Sequence, residues 1–172
     1  LLLGGCSEAP IAYKPKPSEI ALNYAQVKFV GDDSYIEFLT EEEKFYALEL
    51  KKVNDTALEE NPVVASIQNA TKEFLKDNLE VSIIDEVISD NSASITLQVT
   101  TIDTESMVKE IFADIWKNAF GGDMDNSDEF YQNLFNEKLK DNPKLKNEII
   151  TLELVENSET WQVKDGWKEQ YN

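Results

Sequence analysis

The stretch Ile95-Thr96-Leu97-Gln98-Val99-Thr100 alternates apolar and polar residues without a break. Successive side chains of a strand point to opposite faces, so this pattern calls for a strand with one face in a core and one in water. Such strands belong to antiparallel sheets. Upstream, Val81 and Ile83 alternate with polar residues before Val87 and Ile88, and Ser89-Asp90-Asn91-Ser92 lies between the two runs as a turn cluster. Together they predict a hairpin. A second hairpin is predicted from Ile150, Leu152 and Leu154 against Trp161 and Val163, across a turn at residues 156–159.

Helical periodicity fills the rest. Ser18 is a plausible cap for a first helix with Ile20, Ala21, Tyr24, Ala25 and Val27 on its apolar face, and Gly31-Asp32 breaks it. Tyr35, Ile36, Leu39 and then Phe45, Tyr46, Leu48 and Leu50 suggest one or two short amphipathic segments, with residues 54–61 as a polar loop. Pro62 opens a third helix carrying Val63, Val64, Ile67, Ala70, Phe74 and Leu75. Between the hairpins, Met107, Val108, Ile111, Phe112, Ile115 and Trp116 predict a helix with a core-facing surface, ended by Gly121-Gly122. Ser127 then caps another, with Phe130, Tyr131, Leu134, Phe135 and Leu139, which stops before Asn142-Pro143. The runs Glu41-Glu42-Glu43 and Glu59-Glu60 are expected to be solvated. The fold class expected is α+β: N-terminal helices packed on a curved antiparallel sheet, with a helical insertion between strand pairs.

Charge and composition exclude much chemistry. Sixteen lysines oppose 34 acidic residues for a net charge of −18, which repels nucleic acid. The absence of histidine and arginine removes histidine-dependent triads and guanidinium clamps. One cysteine forbids an internal disulfide. The abundance of Lys, Asn, Ile and Glu suggests an AT-rich coding sequence and a low-GC Gram-positive source. No enzymatic activity is expected on these grounds.

The single cysteine ends the run Leu1-Leu2-Leu3-Gly4-Gly5-Cys6, which reads as the end of an apolar export signal at a cleavage site. Leu3-Gly4-Gly5-Cys6 resembles the lipobox of bacterial lipoproteins. The resemblance implies cleavage before Cys6, a diacylglyceryl lipid on its thiol, and a place on the outer face of the cytoplasmic membrane. Residues 1–5 are then a signal peptide remnant, residues 6–17 a lipidated, proline-rich tether, and residues 18–172 a single domain. No other cofactor is expected.

Helices first and a meander of strands last resemble the nuclear transport factor 2-like, cystatin-like fold. The likeness rests on the helix-break-helix around Val30-Gly31-Asp32-Asp33-Ser34-Tyr35 and on the terminal Trp161-Gln162-Val163-Lys164-Asp165-Gly166-Trp167. Relatives of that fold include cavity enzymes of the ketosteroid isomerase type, a resemblance that would make the chain a small-molecule carrier or cavity enzyme. The main expectation is a non-catalytic binding or interaction module, with a protein partner or a small apolar ligand. Tyr24, Tyr35 and Trp167 are the candidate contact residues. A binding module predicts an exposed apolar or acidic patch; a carrier or enzyme predicts a buried charged residue in a cavity. Asp123, Asp125, Ser127 and Glu129 supply hard oxygen ligands on one loop and are candidates for calcium, although Asp128 and Leu134 stand where a calcium loop needs glycine and glutamate.

Overall fold

A computed structural model describes residues 13–119 and 127–164, and for residues 117–119 and 128 the backbone alone. Cys6, Asp123, Asp125, the Gly121-Gly122 break and Trp167 lie outside the described residues. Helices come first. α1 spans Pro17–Val30, a 3-10 turn Asp33–Phe38, α2 Glu41–Glu60 and α3 Pro62–Asn78. β1 (Glu80–Ser89) and β2 (Ser92–Ile102) follow, then α4 (Thr104–Ala119), α5 (Asp128–Asp141), β3 (Leu145–Glu156) and β4 (Trp161–Lys164). The four strands form one antiparallel sheet in the order β1-β2-β3-β4, and α4 and α5 are the helical insertion between the two pairs.

α1 starts two residues earlier than the serine cap implies. Pro17 takes the first helical position, where its fixed φ and missing N–H cost nothing, and Glu19 accepts from the Lys16 N–H at 3.1 Å. Ser18 is buried inside the helix instead. Gly31 ends α1 at φ +82°, a left-handed conformation that glycine adopts without a Cβ penalty. Ala21 and Ala25 are fully buried, and their small side chains let α1 lie close on the sheet.

The sheet's inner face is filled. Ile95, Leu97, Val99 and Val163 are wholly buried there with Leu152, Leu154 and Trp161, packed against Ile20, Ala21, Tyr24 and Ala25 of α1. On the outer face the Thr96 and Thr151 hydroxyls bond at 3.2 Å and Thr100 donates to Asn147 at 2.7 Å, as the polar half of the alternation requires. The 3-10 turn leads onto the β4 edge, where the Thr40 N–H donates to the Val163 carbonyl at 3.0 Å. β1 is the other edge. A bulge between Ile83 and Asp85 shifts its register, and Ile83, Ile84, Val87 and Ile88 are exposed on both faces of this edge strand, so the clean apolar face expected of β1 is absent.

A second core lies beyond one end of the sheet. Leu75 of α3, Ile102 at the end of β2, Met107, Ile111 and Ile115 of α4, and Phe135 and Leu139 of α5 are buried together, and Leu79 packs against both cores. α4 carries two adjacent apolar stripes, 107/111/115 and 108/112/116. The first is buried throughout, whereas in the second only Val108 packs against the core. Phe112 is 53% exposed and Trp116 67%, so Trp116 does not join the core as its register suggested.

α2 corrects two further expectations. It runs through residues 54–60 as helix, because Thr40 caps its start, Lys51 pairs with Asp55 one turn on, and Asn61 both ends it and caps α3 through the Val64 N–H at 3.2 Å. Glu43, at its third residue, is buried at 5% exposure and not solvated like Glu41 and Glu42.

Candidate functional site

Tyr24 and Tyr35, singled out as aromatic contact residues, meet edge to face with ring centroids 6.0 Å apart. α1 supplies Tyr24, and the turn after the Gly31 break folds Tyr35 back onto it. One helical turn beyond Tyr24, Lys28 places its Nζ over the Tyr24 ring, 5.2 Å from the centroid. These three line a recess of about 300 Å³ closed by Phe29, Leu39 and the α2 residues Ala47, Leu50 and Asn54. A second recess of about 580 Å³ adjoins it, sharing Phe29, Tyr35, Leu50 and Asn54, and extends between α2 and α3 toward Lys51, Gln68, Lys72 and Thr104. Volumes of this size suit small organic ligands.

The charges around the cavity are balanced. Lys51 is 2.8 Å from Asp33 and 2.8 Å from Asp55, and those two hydrogen bonds raise its pKa. Lys72 donates to the Gly31 carbonyl at 3.2 Å. Lys28 is different: burial lowers its pKa to about 8, against a smaller opposing pull from the Glu43 carboxylate. Burial also raises the pKa of Tyr24 and of Tyr35, so both phenols stay protonated and able to donate. The arrangement offers aromatic faces, two hydroxyls and an amine at the end of an apolar recess.

The structure brings together the two tyrosines named from the sequence and sets beside them Lys28 and Glu43, which the sequence reading did not single out. The signals were there: Lys28 follows Tyr24 by four residues on one helix face, and Glu43 occupies the third helical position after the Thr40 cap, four residues before the buried Ala47. Of the calcium candidates, Ser127 caps α5 by accepting from the Phe130 N–H at 3.2 Å, and Glu129 is exposed. Among the described residues no three acidic or sulfur groups converge on a metal position.

The chain enters at the N-terminal end of α1, whereas the larger recess is lined by Phe29, Val30 and Gly31 at its C-terminal end; the smaller one reaches back to Leu39, which bridges Val163. Tyr13 donates to the Glu19 carboxylate at 2.6 Å, and Lys14 reaches Glu156 at 2.6 Å and the Asn157 carbonyl at 3.1 Å. The Glu156 N–H donates to the Asn91 carbonyl, so both hairpin turns sit at that same end. α1 leads away from it to Lys28, Gly31 and the second core. No helix among the described residues is long and apolar enough to cross a membrane.

The fold has a solved counterpart. The chain is similar to the crystal structure of ycdA, a predicted lipoprotein of Bacillus subtilis subsp. subtilis str. 168, with a TM-score of 0.56 and 15% sequence identity over 85% of this chain and 51% of that one. At that identity the likeness is one of fold, and the chain spans about half the length of that structure. The α+β plan is therefore one that a lipoprotein-type structure shares, and the nuclear transport factor 2-like, cystatin-like branch is not specifically supported by it. No family model matches the chain, and neither does any curated protein.

Proposed function

We propose that this chain is a lipid-anchored, extracytoplasmic binding protein that takes a small apolar ligand into the Tyr24–Lys28–Tyr35 cavity without chemical turnover. The observation that carries the reading is the polarity of the domain. A diacylglyceryl group on Cys6 would hold the Lys14 and Glu156 pole at the membrane, because the seven residues from Cys6 to Tyr13 span at most roughly 25 Å. The larger recess that adjoins the cavity, at the C-terminal end of α1, would then stand off from the lipid surface by the length of the helix. The shared fold with a predicted lipoprotein and the Leu3-Gly4-Gly5-Cys6 pattern support the anchor.

Both features that separate a binding module from a carrier are present: exposed apolar side chains, and a half-buried lysine on a cavity wall within electrostatic reach of the buried Glu43. A carrier-like binding protein accommodates both. A filled inner sheet face leaves no room for a ligand where a ketosteroid-isomerase-type enzyme would hold one.

Two measurements test the reading. Cys6→Ala should move the protein from the membrane fraction to the soluble fraction of cells expressing it. The neutral apolar dye N-phenyl-1-naphthylamine should bind the isolated protein with saturable fluorescence enhancement. Leu50→Trp, which fills the recess from a half-buried position, should abolish it. Unchanged fractionation defeats the anchor; dye binding indifferent to Leu50→Trp defeats the cavity.

A further inference from the structure

α3 and α4 both rest on α5 yet scarcely touch each other, and the space between them is an apolar groove of about 410 Å³. Its walls are Val63, Val64 and Ile67 of α3 and Val108 and Phe112 of α4, over a floor that includes Phe135. Phe135 is 1% exposed, whereas Val64 and Phe112 face solvent. Trp116 continues the α4 wall one turn beyond Phe112, and a phenylalanine and a tryptophan left in water along one helix face are the residue types that anchor interfaces. Three helices with a slot between two of them have the geometry of a bundle lacking one member.

The surroundings set the sign of what fits. Exposed Glu59 and Glu60 immediately precede Asn61, which lines the groove, and the whole chain carries −18. We propose that the α3–α4 groove docks a basic amphipathic helix from a partner protein, with the helix's apolar face seated on Val64, Phe112 and Trp116. Glu59 and Glu60 with the strongly negative field of the chain select lysine- or arginine-rich flanks and speed encounter, while burial of the apolar face supplies the affinity. The groove shares no residue with the Tyr24–Lys28–Tyr35 recess and meets the larger adjoining one only at Ile67, and docking there does not depend on a ligand in the cavity.

The test uses the full chain and a fluorescein-labelled 18-residue leucine/lysine peptide designed as an amphipathic helix, read by fluorescence anisotropy. Saturable binding is expected, weakened at least about tenfold by Phe112→Glu, by Val64→Glu, and by replacing the peptide's lysines with glutamates. Both substitutions are at solvent-exposed positions, and an unchanged circular dichroism melt shows that the variants fold. Leu50→Trp should leave peptide binding intact. Equal binding of a scrambled peptide of the same composition would mean charge attraction alone and overturn the proposal, as would binding insensitive to Phe112→Glu. Sedimentation showing a dimer that Phe112→Glu dissociates would also overturn it, by making a second copy of the chain the occupant.

Discussion

Lys28 is the residue with the most to lose in folding. The folded chain releases its proton near pH 8, whereas the unfolded chain holds it to the ordinary value of 10.5. Between those limits the unfolded state binds more protons, so stability rises with pH across that window; burying the charge costs on the order of 3 kcal/mol at neutral pH. Tyr24, raised by burial, works the other way above the ordinary phenol value of 10. Comparison with Lys28→Met isolates the lysine: whatever the offset at pH 7, the unfolding free energy of the wild type should gain on the variant between pH 8 and 10.5. A constant difference across that range would place Lys28 in water. At Gly31 the constraint is purely one of backbone. A Cβ added there meets nothing within 4 Å, so Gly31→Ala should cost about 1 kcal/mol from the left-handed φ alone, measurable as a lower urea midpoint with an unchanged slope.

At the level of elements, α2 is the weakly held one. Twenty residues make a helix of about 30 Å, yet only Glu43 and Ala47 are fully buried, and Phe45, Leu48 and Val53 face solvent. A helix that packs so little depends on its own hydrogen bonds, which are marginal for a segment of this length. Amides of residues 50–60 should therefore exchange orders of magnitude faster than those of Ala21–Ala25 in α1, in a native-state hydrogen-exchange experiment. Equal protection would show α2 clamped along its length. The same weakness explains why residues 54–61 read as a loop: Asn54, Asp55 and Thr56 are poor helix formers, and only the Thr40 cap, the Lys51 and Asp55 pair and the half-buried Leu58 tip the balance. β1 shows the converse. Its apolar residues promised a covered face, but on this edge strand Ile84, Val87 and Ile88 are exposed on both faces, leaving Asp85 and Glu86 to discourage edge pairing. Replacing Asp85 and Glu86 by Thr should raise light scattering on mild heating; a solution that stays clear would mean the edge is protected in another way.

For the molecule as a whole, the two cores make different demands. Leu97 is wholly buried between α1 and the sheet, and Phe135 is buried among α3, α4 and α5. Either residue changed to Ala should cost about 3 kcal/mol. Phe135→Ala should loosen exchange mainly in α3, α4 and α5, whereas Leu97→Ala should loosen the sheet and α1; identical exchange maps would show one indivisible core. The sequence by itself determined where most elements begin and end, the start of α1 and the last turns of α2 excepted, and which chemistries are closed to the chain. Pro17, Gly31, Asn61-Pro62, Ser127 and the Asp90 turn act on their own backbone, the Ile95–Thr100 alternation is local, and a missing histidine or arginine is missing in any fold. Tyr24 and Tyr35 could be named as site candidates for the same reason, since aromatic residues on a helix face are visible in the pattern. Only the tertiary structure decided that Glu43 is buried and Trp116 is not, that Lys28 joins the two tyrosines, and that the cavity lies among the helices and not on the sheet. The physical reason is that burial belongs to pairs of elements: whether an apolar stripe or a charge is covered depends on what packs over it, and nothing in the stripe itself records that.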